Sequence, residues 1–173
     1  MIRTERLLLE RPSEKDFEQY YGIFSKLENN LHNPKGAMDL ENAKIAFANL
    51  LNHWNGYNFG MWRISEIKTP HIIIGFGGID YRLYGDETKL NLGYRFDEKY
   101  WGKGYATELA KSAIHFAFET LGKTEVYAFV RPLNSASVRV LEKSGMLHTG
   151  LLDNVPNEEK SRVFKLERKR YYG

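Results

Sequence analysis

Apolar and polar positions change period several times along the chain of 173 residues. Between Lys89 and Phe96, the residues Leu90, Leu92, Tyr94 and Phe96 alternate with Asn91, Gly93 and Arg95, the period of two of a strand with one buried face. From Lys103 to Leu121 the period lengthens. Ala106, Leu109, Ala110, Ala113, Ile114, Ala117 and Leu121 make one helical stripe, and Gly122 follows as its C-terminal cap. Leu7 to Glu10 reads as a short strand ended by Pro12. Ser13, with Asp16 three residues on, opens a helix to about Ser25. Asp39 caps a second helix to about Trp54, with Ala43, Ala46, Phe47 and Leu50 at helical spacing. Phe59 to Ile64 and Ile72 to Ile79 are further strands, and Tyr84-Gly85-Asp86-Glu87 is a hairpin turn. Glu125 to Val130 is a strand, Asn134 to Ser144 a short helix stopped by Gly145, and Leu147 to Leu152 and Ser161 to Arg168 are the last two strands.

The predicted order is β-α-α-β-β-β-α-β-α-β-β, an α/β layer protein around one central sheet. No repeat or low-complexity tract divides residues 1–173, which read as one domain. Such an order names no function.

Composition narrows the chemistry. Hydrophobic residues make up 42% of the chain and charged residues 27%, the balance of a soluble globular protein. The net charge of +3 is too small for a nucleic-acid stripe; its excess (Lys165, Arg168, Lys169, Arg170) reads as a solvated C-terminal strand and tail. There are no cysteines, which removes disulfides, thiolate catalysis and cysteine-held metals. The histidines show no ligand spacing, so no metal is expected. The start is charged and its apolar run, Leu7 to Leu9, is too short for a signal peptide or a membrane span. A cytoplasmic protein with no membrane or nucleic-acid partner is expected.

The segment from Tyr94 to Glu108 carries the chemistry. It runs from a strand through a short glycine loop into the long helix. The first turn of a helix exposes backbone N–H groups without partners, and with the helix dipole these make an anion site. Gly102 and Gly104 let backbone come close to a phosphate, and Lys103 adds a cation. The nucleotide P-loop pattern is absent. The dinucleotide fingerprint wants a third glycine where Thr107 stands. A tight strand-to-helix turn with no ligand is the plain alternative. In the second segment, Arg131 to Met146, the residues Asn134, Ser137, Val138 and Leu141 share a helix face, so an amide and a hydroxyl can reach a cleft while the rest packs.

On these residues the chain resembles the GNAT superfamily of N-acetyltransferases, in its ribosomal-protein N-terminal (RimJ/RimL-like) branch. The likeness rests on Arg3-Thr4-Glu5-Arg6-Leu7-Leu8-Leu9, Leu92-Gly93-Tyr94, Tyr100-Trp101-Gly102-Lys103-Gly104-Tyr105-Ala106-Thr107-Glu108, and Asn134 through Gly145. It spans essentially the whole chain. It implies a single-domain fold whose central mixed, mostly antiparallel sheet has about seven strands flanked by about four helices. It also implies acetyl-CoA as cosubstrate and an amine as acceptor.

By that resemblance Gly102, Lys103, Gly104, Tyr105, Ala106 and Thr107 bind the pyrophosphate of coenzyme A, with Trp101 replacing the usual Gln or Arg. The backbone of Tyr94, Arg95 and Phe96 pairs with the pantetheine arm and offers an N–H to the thioester carbonyl. Asn134 bonds the cofactor arm. A primary alkylamine has a pKa of ~10.4 and must lose a proton, and the departing thiolate must gain one. The tyrosine many relatives use as the acid is Leu141 here, so Ser137 is the implied proton donor. The base is open: Asn91 stands where relatives carry Glu, which leaves Glu10, Asp80, His32 or an ordered water chain. Glu108 reads as a helix-dipole partner. Tyr20, Tyr21, Phe24, Trp54, Tyr57, Phe59 and Trp62 line an acceptor pocket or simply fill the core. The implied acceptor is a protein N-terminal α-amine; a small amine (polyamine, amino acid or antibiotic) and a non-catalytic acetyl-CoA sensor are the alternatives. The implied state is monomer or homodimer.

Overall fold

Alternation in the middle of the chain builds the longest ladder of the fold. In a computed structural model describing residues 1–173, β4 (Ile73–Tyr84) and β5 (Glu87–Phe96) pair antiparallel from Gly75↔Phe96 to Tyr84↔Glu87. The turn between them is the two residues Gly85 and Asp86, which fixes this register. Ahead of them β1 (Ile2–Arg3), β2 (Leu7–Glu10) and β3 (Met61–Glu66) continue the antiparallel meander. Beyond β5 lie β6 (Glu125–Val130), β7 (Leu147–Leu152) and β8 (Ser161–Glu167), and the spatial order is β1-β2-β3-β4-β5-β6-β8-β7. β5 and β6 run parallel and share a single bridging pair, Asn91↔Tyr127. Past Asn91 the two strands part, and the opening is where the cleft described below forms.

Helices cover both faces of this sheet. α1 (Phe17–Phe24) and α2 (Leu40–Tyr57) cover one face, where Tyr20, Ile23, Ala43 and Phe47 pack on Ile73 and Phe76. α3 (Tyr105–His115) and α4 (Ser135–Lys143) cover the other; Leu109, Ala113 and Ile114 close the main core with Ile64, Ile74, Leu92, Val126 and Phe164. α3 lies very close to β4. A Cβ added to Gly77 would stand 2.5 Å from Leu109 Cδ2 and 2.7 Å from Tyr94 Cβ.

Eight strands and five helices are present against the expected seven and four. The additions are β1 and α5 (Arg168–Tyr172), both too short to show a period. Arg168 therefore starts a helix rather than ending a strand, and Lys165 is no solvated tail residue: it pairs with Glu125 at 2.7 Å and Glu167 at 3.0 Å. The long helix begins at Tyr105, not Lys103, and its last turn, Phe116–Thr120, widens to π geometry. β3 begins at Met61 because α2 runs on to Tyr57 and ends on Asn58 in the left-handed region. β4 runs on to Tyr84 rather than stopping at Ile79. The Asp39 cap is as expected, its carboxylate accepting from the Asn42 N–H at 2.8 Å. Of the seven aromatics considered for a pocket, Tyr20, Trp54, Phe59 and Trp62 are core residues. No helix is long and apolar enough to cross a membrane.

Candidate functional site

The end of β5 leads through a short turn at Glu98–Tyr100 into Trp101, Gly102, Lys103 and Gly104, and α3 starts at once. Gly102 (φ 72°) and Gly104 (φ 81°) both occupy the left-handed region, where a side chain would strain the backbone. The first intrahelical bond is Glu108 N–H to Gly104 O at 3.1 Å, so the N–H groups of Tyr105, Ala106 and Thr107 have no partner within the helix. They open into a cleft of about 410 Å³. Tyr94, Arg95, Phe96, Trp101, Gly102, Gly104, Tyr105, Ala106, Thr107, Asn134 and Ser137 all line it. Two expected details differ. Lys103 is not in the wall; its ammonium sits 4.8 Å over the Tyr100 ring. The Trp101 indole, half-exposed, donates to Phe96 O at 2.9 Å, which takes up one of that carbonyl's two acceptor positions.

A clasp from the N-terminus holds the loop. Glu108 Oε1 accepts from the Thr4 hydroxyl at 2.5 Å and the Arg6 N–H at 2.8 Å, and Oε2 accepts from Arg6 Nε at 2.8 Å and Nη2 at 2.7 Å. Arg6 Nη1 also donates to Lys103 O at 2.8 Å, and its guanidinium lies 4.6 Å over the Tyr105 ring. The Tyr105 hydroxyl in turn donates to Glu66 of β3. Partial burial pushes the Glu108 carboxyl up, but the bonds from Thr4 and Arg6 outweigh it and the net displacement is downward. Glu108 is thus more than a dipole partner: the two motif segments at Arg3–Leu9 and Tyr100–Glu108 are one unit in space.

α4 forms the far wall. Asn134 caps it, its Oδ1 accepting from the Ser137 N–H at 3.1 Å, which leaves Nδ2 as its donor for a ligand. The predicted face is divided: Asn134 and Ser137 look into the cleft, whereas Val138 packs on the core and Leu141 is buried in it. Ala136, Arg139, Val140 and Lys143 join the cleft wall instead. Opposite Ser137 stands Tyr94. Burial pushes its phenol up to about 12, with the Ser137 hydroxyl beside it pulling the other way, and its oxygen makes no well-aligned hydrogen bond. Tyr94 was expected to contribute only its backbone; its place in an alternating strand facing a helix was the signal for the hydroxyl.

The α1/α2 face of the sheet carries a second set. The Tyr84 hydroxyl donates to Asn91 Oδ1 at 2.7 Å, Asn91 Nδ2 donates to Asp80 Oδ1 at 3.5 Å, and Arg82 pairs with Asp80 Oδ2 at 2.7 Å. Asp80 and Asn91 are both buried. Among the base candidates, Asp80 is therefore the carboxylate beside Asn91. His32 lines the cleft, while Glu10 is outside it and ion-paired with Arg63 at 3.2 Å. The connection between α1 and α2 adds Glu28, Asn29 and Leu31 to the cleft; in sequence it was only a loop. No group of three His, Asp or Glu side chains is placed to hold a metal ion.

A strand, a glycine turn and a free helix N-terminus at a split sheet can hold a phosphate-bearing ligand with its far end between β5 and β6. Known proteins agree with this. The family model of the acetyltransferase (GNAT) domain matches residues 6–147. The N-acetyltransferase YnaD of Bacillus subtilis is 30% identical over 150 residues, covering 86% of this chain and 84% of that protein. The protein YkkB of Bacillus subtilis is 34% identical over 99 residues, which span 54% of this chain and 57% of that one. The crystal structure of an acetyltransferase from Agrobacterium tumefaciens, 28% identical, superposes with a TM-score of 0.80 over 96% of this chain and 94% of that one. The chain belongs to the GNAT family, whose members use acetyl-CoA, and it is an N-acetyltransferase.

Proposed function

We propose that the protein moves the acetyl group of acetyl-CoA to a primary amine, with a protein N-terminal α-amine as the leading acceptor. The observation that carries the transfer reading is the cleft itself. One end is a cradle of free helix N–H groups, and beside the edge of β5 the hydroxyls of Ser137 and Tyr94 line it. The buried Asp80 carboxylate lies outside this lining, on the α1/α2 side of the β4–β5 pair.

When bound, acetyl-CoA supplies an activated thioester. Residues Gly102 to Thr107 hold its phosphates through backbone N–H groups, with Arg139 and Lys143 as cations on the opposite wall. The edge of β5 beyond Asn91, free of β6, pairs with the pantetheine arm. As the new C–N bond forms and the C–S bond breaks, Ser137 gives its proton to the sulfur, with the Tyr94 hydroxyl beside it. Asp80, which does not itself line the cleft, takes the proton the amine releases through an ordered water chain. The assignment to the RimJ/RimL-like branch, and with it the N-terminal acceptor, rests on the likeness of the motifs at Arg3–Leu9, Leu92–Tyr94 and Tyr100–Glu108.

The test is acetyl-CoA turnover against N-terminal peptides and small amines. Ser137→Ala is expected to lower kcat about a hundredfold while leaving KM for acetyl-CoA in place, as loss of a general acid does. Turnover confined to small amines would discard the N-terminal acceptor and keep the reaction. Binding without turnover on any amine would leave a sensor, and absence of binding would end the proposal.

A further inference from the structure

Arg95 lines the cleft and has no partner. Most other arginines near the site are paired: Arg6 with Glu108, Arg63 with Glu10 and Asp16, Arg82 with Asp80, Arg131 with Glu158. Arg139 on α4 is unpaired too, but it stands on the opposite wall, on the side given to the phosphates. The Arg95 Nη1 is buried without an acceptor. Its guanidinium lies 5.3 Å over the Phe24 ring of α1, and desolvation there lowers its pKa, with only the Tyr20 phenol acting in the other direction. Holding a cation in such a place with no anion opposite costs free energy. A ligand that brings an anion removes that cost.

The placement says which ligand. Arg95 alternates with Tyr94 and Phe96, so it leaves β5 on the α1/α2 face, away from Ser137 and α4. Its pairing partner in β4 is Phe76, which packs among Tyr20, Phe24 and Phe47. The same face of β5 carries Gly93 and Asn91. Gly93 leaves the strand bare: an added Cβ would meet nothing nearer than Asn91 Nδ2, at 3.4 Å. At about 3.4 Å per residue, the Arg95 backbone stands ~7 Å along the strand from Gly93. Phosphate is provided for elsewhere, by the first turn of α3 and by Arg139 and Lys143 on α4. Arg95 therefore belongs to the acceptor side.

We propose that Arg95 anchors a carboxylate of the acceptor a few bonds from its reactive amine, so that the acceptor class is an anionic amine. Two sources share this chemistry: a free amino acid, through its α-carboxylate, and a peptide N-terminus whose first residues are acidic. The guanidinium fork suits a carboxylate bidentately. A polyamine would bring only positive charge toward Arg95 and Arg82. The inference rests on the transfer reading above.

The test uses the full chain and two readouts, calorimetric titration in the presence of CoA and turnover with acetyl-CoA. The probes are free amino acids and their amides, peptide amides beginning Asp-Ala or Asn-Ala, and spermidine. Carboxylate acceptors are expected to exceed their amides on the order of ten- to a hundredfold, as a charge-assisted pair does. A preference among free amino acids names one source; a preference for Asp-Ala over Asn-Ala peptides names the other. Arg95→Met keeps the apolar stack on Phe24 and the backbone of β5, and is expected to abolish the preference while acetyl-CoA still binds; Arg95→Lys restores part of it. Equal use of acids and amides overturns the anchor, as does a preference that survives Arg95→Met. Binding of no carboxylate-bearing amine also overturns it. Loss of acetyl-CoA affinity in Arg95→Met would assign the arginine to the cofactor instead. Transfer without charge preference sinks the anchor alone, whereas failure to bind acetyl-CoA sinks the transfer reading with it.

Discussion

Removing the carboxylate of Glu108 tests whether the N-terminal clasp is a structural element or surface decoration. Glu108→Ala deletes both bonds at Oε1, from the Thr4 hydroxyl at 2.5 Å and the Arg6 N–H at 2.8 Å. The Glu108 side chain is only 14% exposed, so the charged acceptor is sheltered even though the Arg6 N–H lies near solvent. Each contributes about 1.5 kcal/mol, and the donors left behind are only partly rehydrated. The Arg6 guanidinium, 43% exposed, adds little because solvent screens it. The loss is about 3 kcal/mol, which for a chain of this length lowers Tm by about 6–12 °C. Calorimetric or fluorescence-detected melting measures this directly. Arg6→Met is the control, since it keeps both Oε1 bonds, and it is expected to cost a small fraction of that fall. A Glu108→Ala shift below about 3 °C would refute the reasoning; so would an Arg6→Met shift as large as that of Glu108→Ala, which would put the stabilisation in the exposed ion pair.

Other substitutions and conditions probe separate parts. Gly104→Glu puts a side chain where φ is 81° and an anion at an anion site, so acetyl-CoA binding by calorimetry is expected to fall below detection while the fold survives. Gly77→Ala forces a Cβ against Leu109 and Tyr94 and is expected to cost about 1–3 kcal/mol in urea unfolding, and to disturb the cleft through Tyr94. Stability is expected to fall on acidification. Asp97, Glu108 and Glu125 are held below the ordinary carboxylate range, so their contribution is present above the unfolded pKa of about 4 and is lost as pH drops through the folded values. Urea midpoints at neutral pH and below pH ~4 measure it, and Glu108→Ala should flatten the profile.

What the sequence revealed and what it hid follow one physical rule. Period and spacing are local, so the alternation in β5, the stripe of α3 and the Asp39 cap were all readable, and the glycine loop was found with its helix. Pairings across the fold were not. Nothing local says that Glu108 reaches back to Thr4, that Lys103 turns onto Tyr100, or that Leu141 faces the core while Val140 faces the cleft. The contacts that tie Asp80 and Asn91, both singled out in sequence, to Arg82 and Tyr84 were hidden for the same reason. Asp80 and Tyr84 meet Asn91, and Arg82 meets Asp80, because the hairpin register puts Asp80 opposite Asn91. Segments of two and five residues, β1 and α5, are too short to carry a period at all.

The parting of β5 and β6 divides the sheet into two leaves, one of strands β1 to β5 and one of β6, β8 and β7, sewn together by the single pair Asn91↔Tyr127 and by the helices laid across them. Each leaf carries its own antiparallel ladders, so each is a candidate cooperative unit of opening. Amides on the facing edges beyond the bridge lack the protection of a neighbouring strand and should exchange with solvent early. A ligand lodged between the leaves then works as a rivet. Its binding should slow exchange on both edges at once, and the two halves should melt more nearly together when it is present than when it is absent.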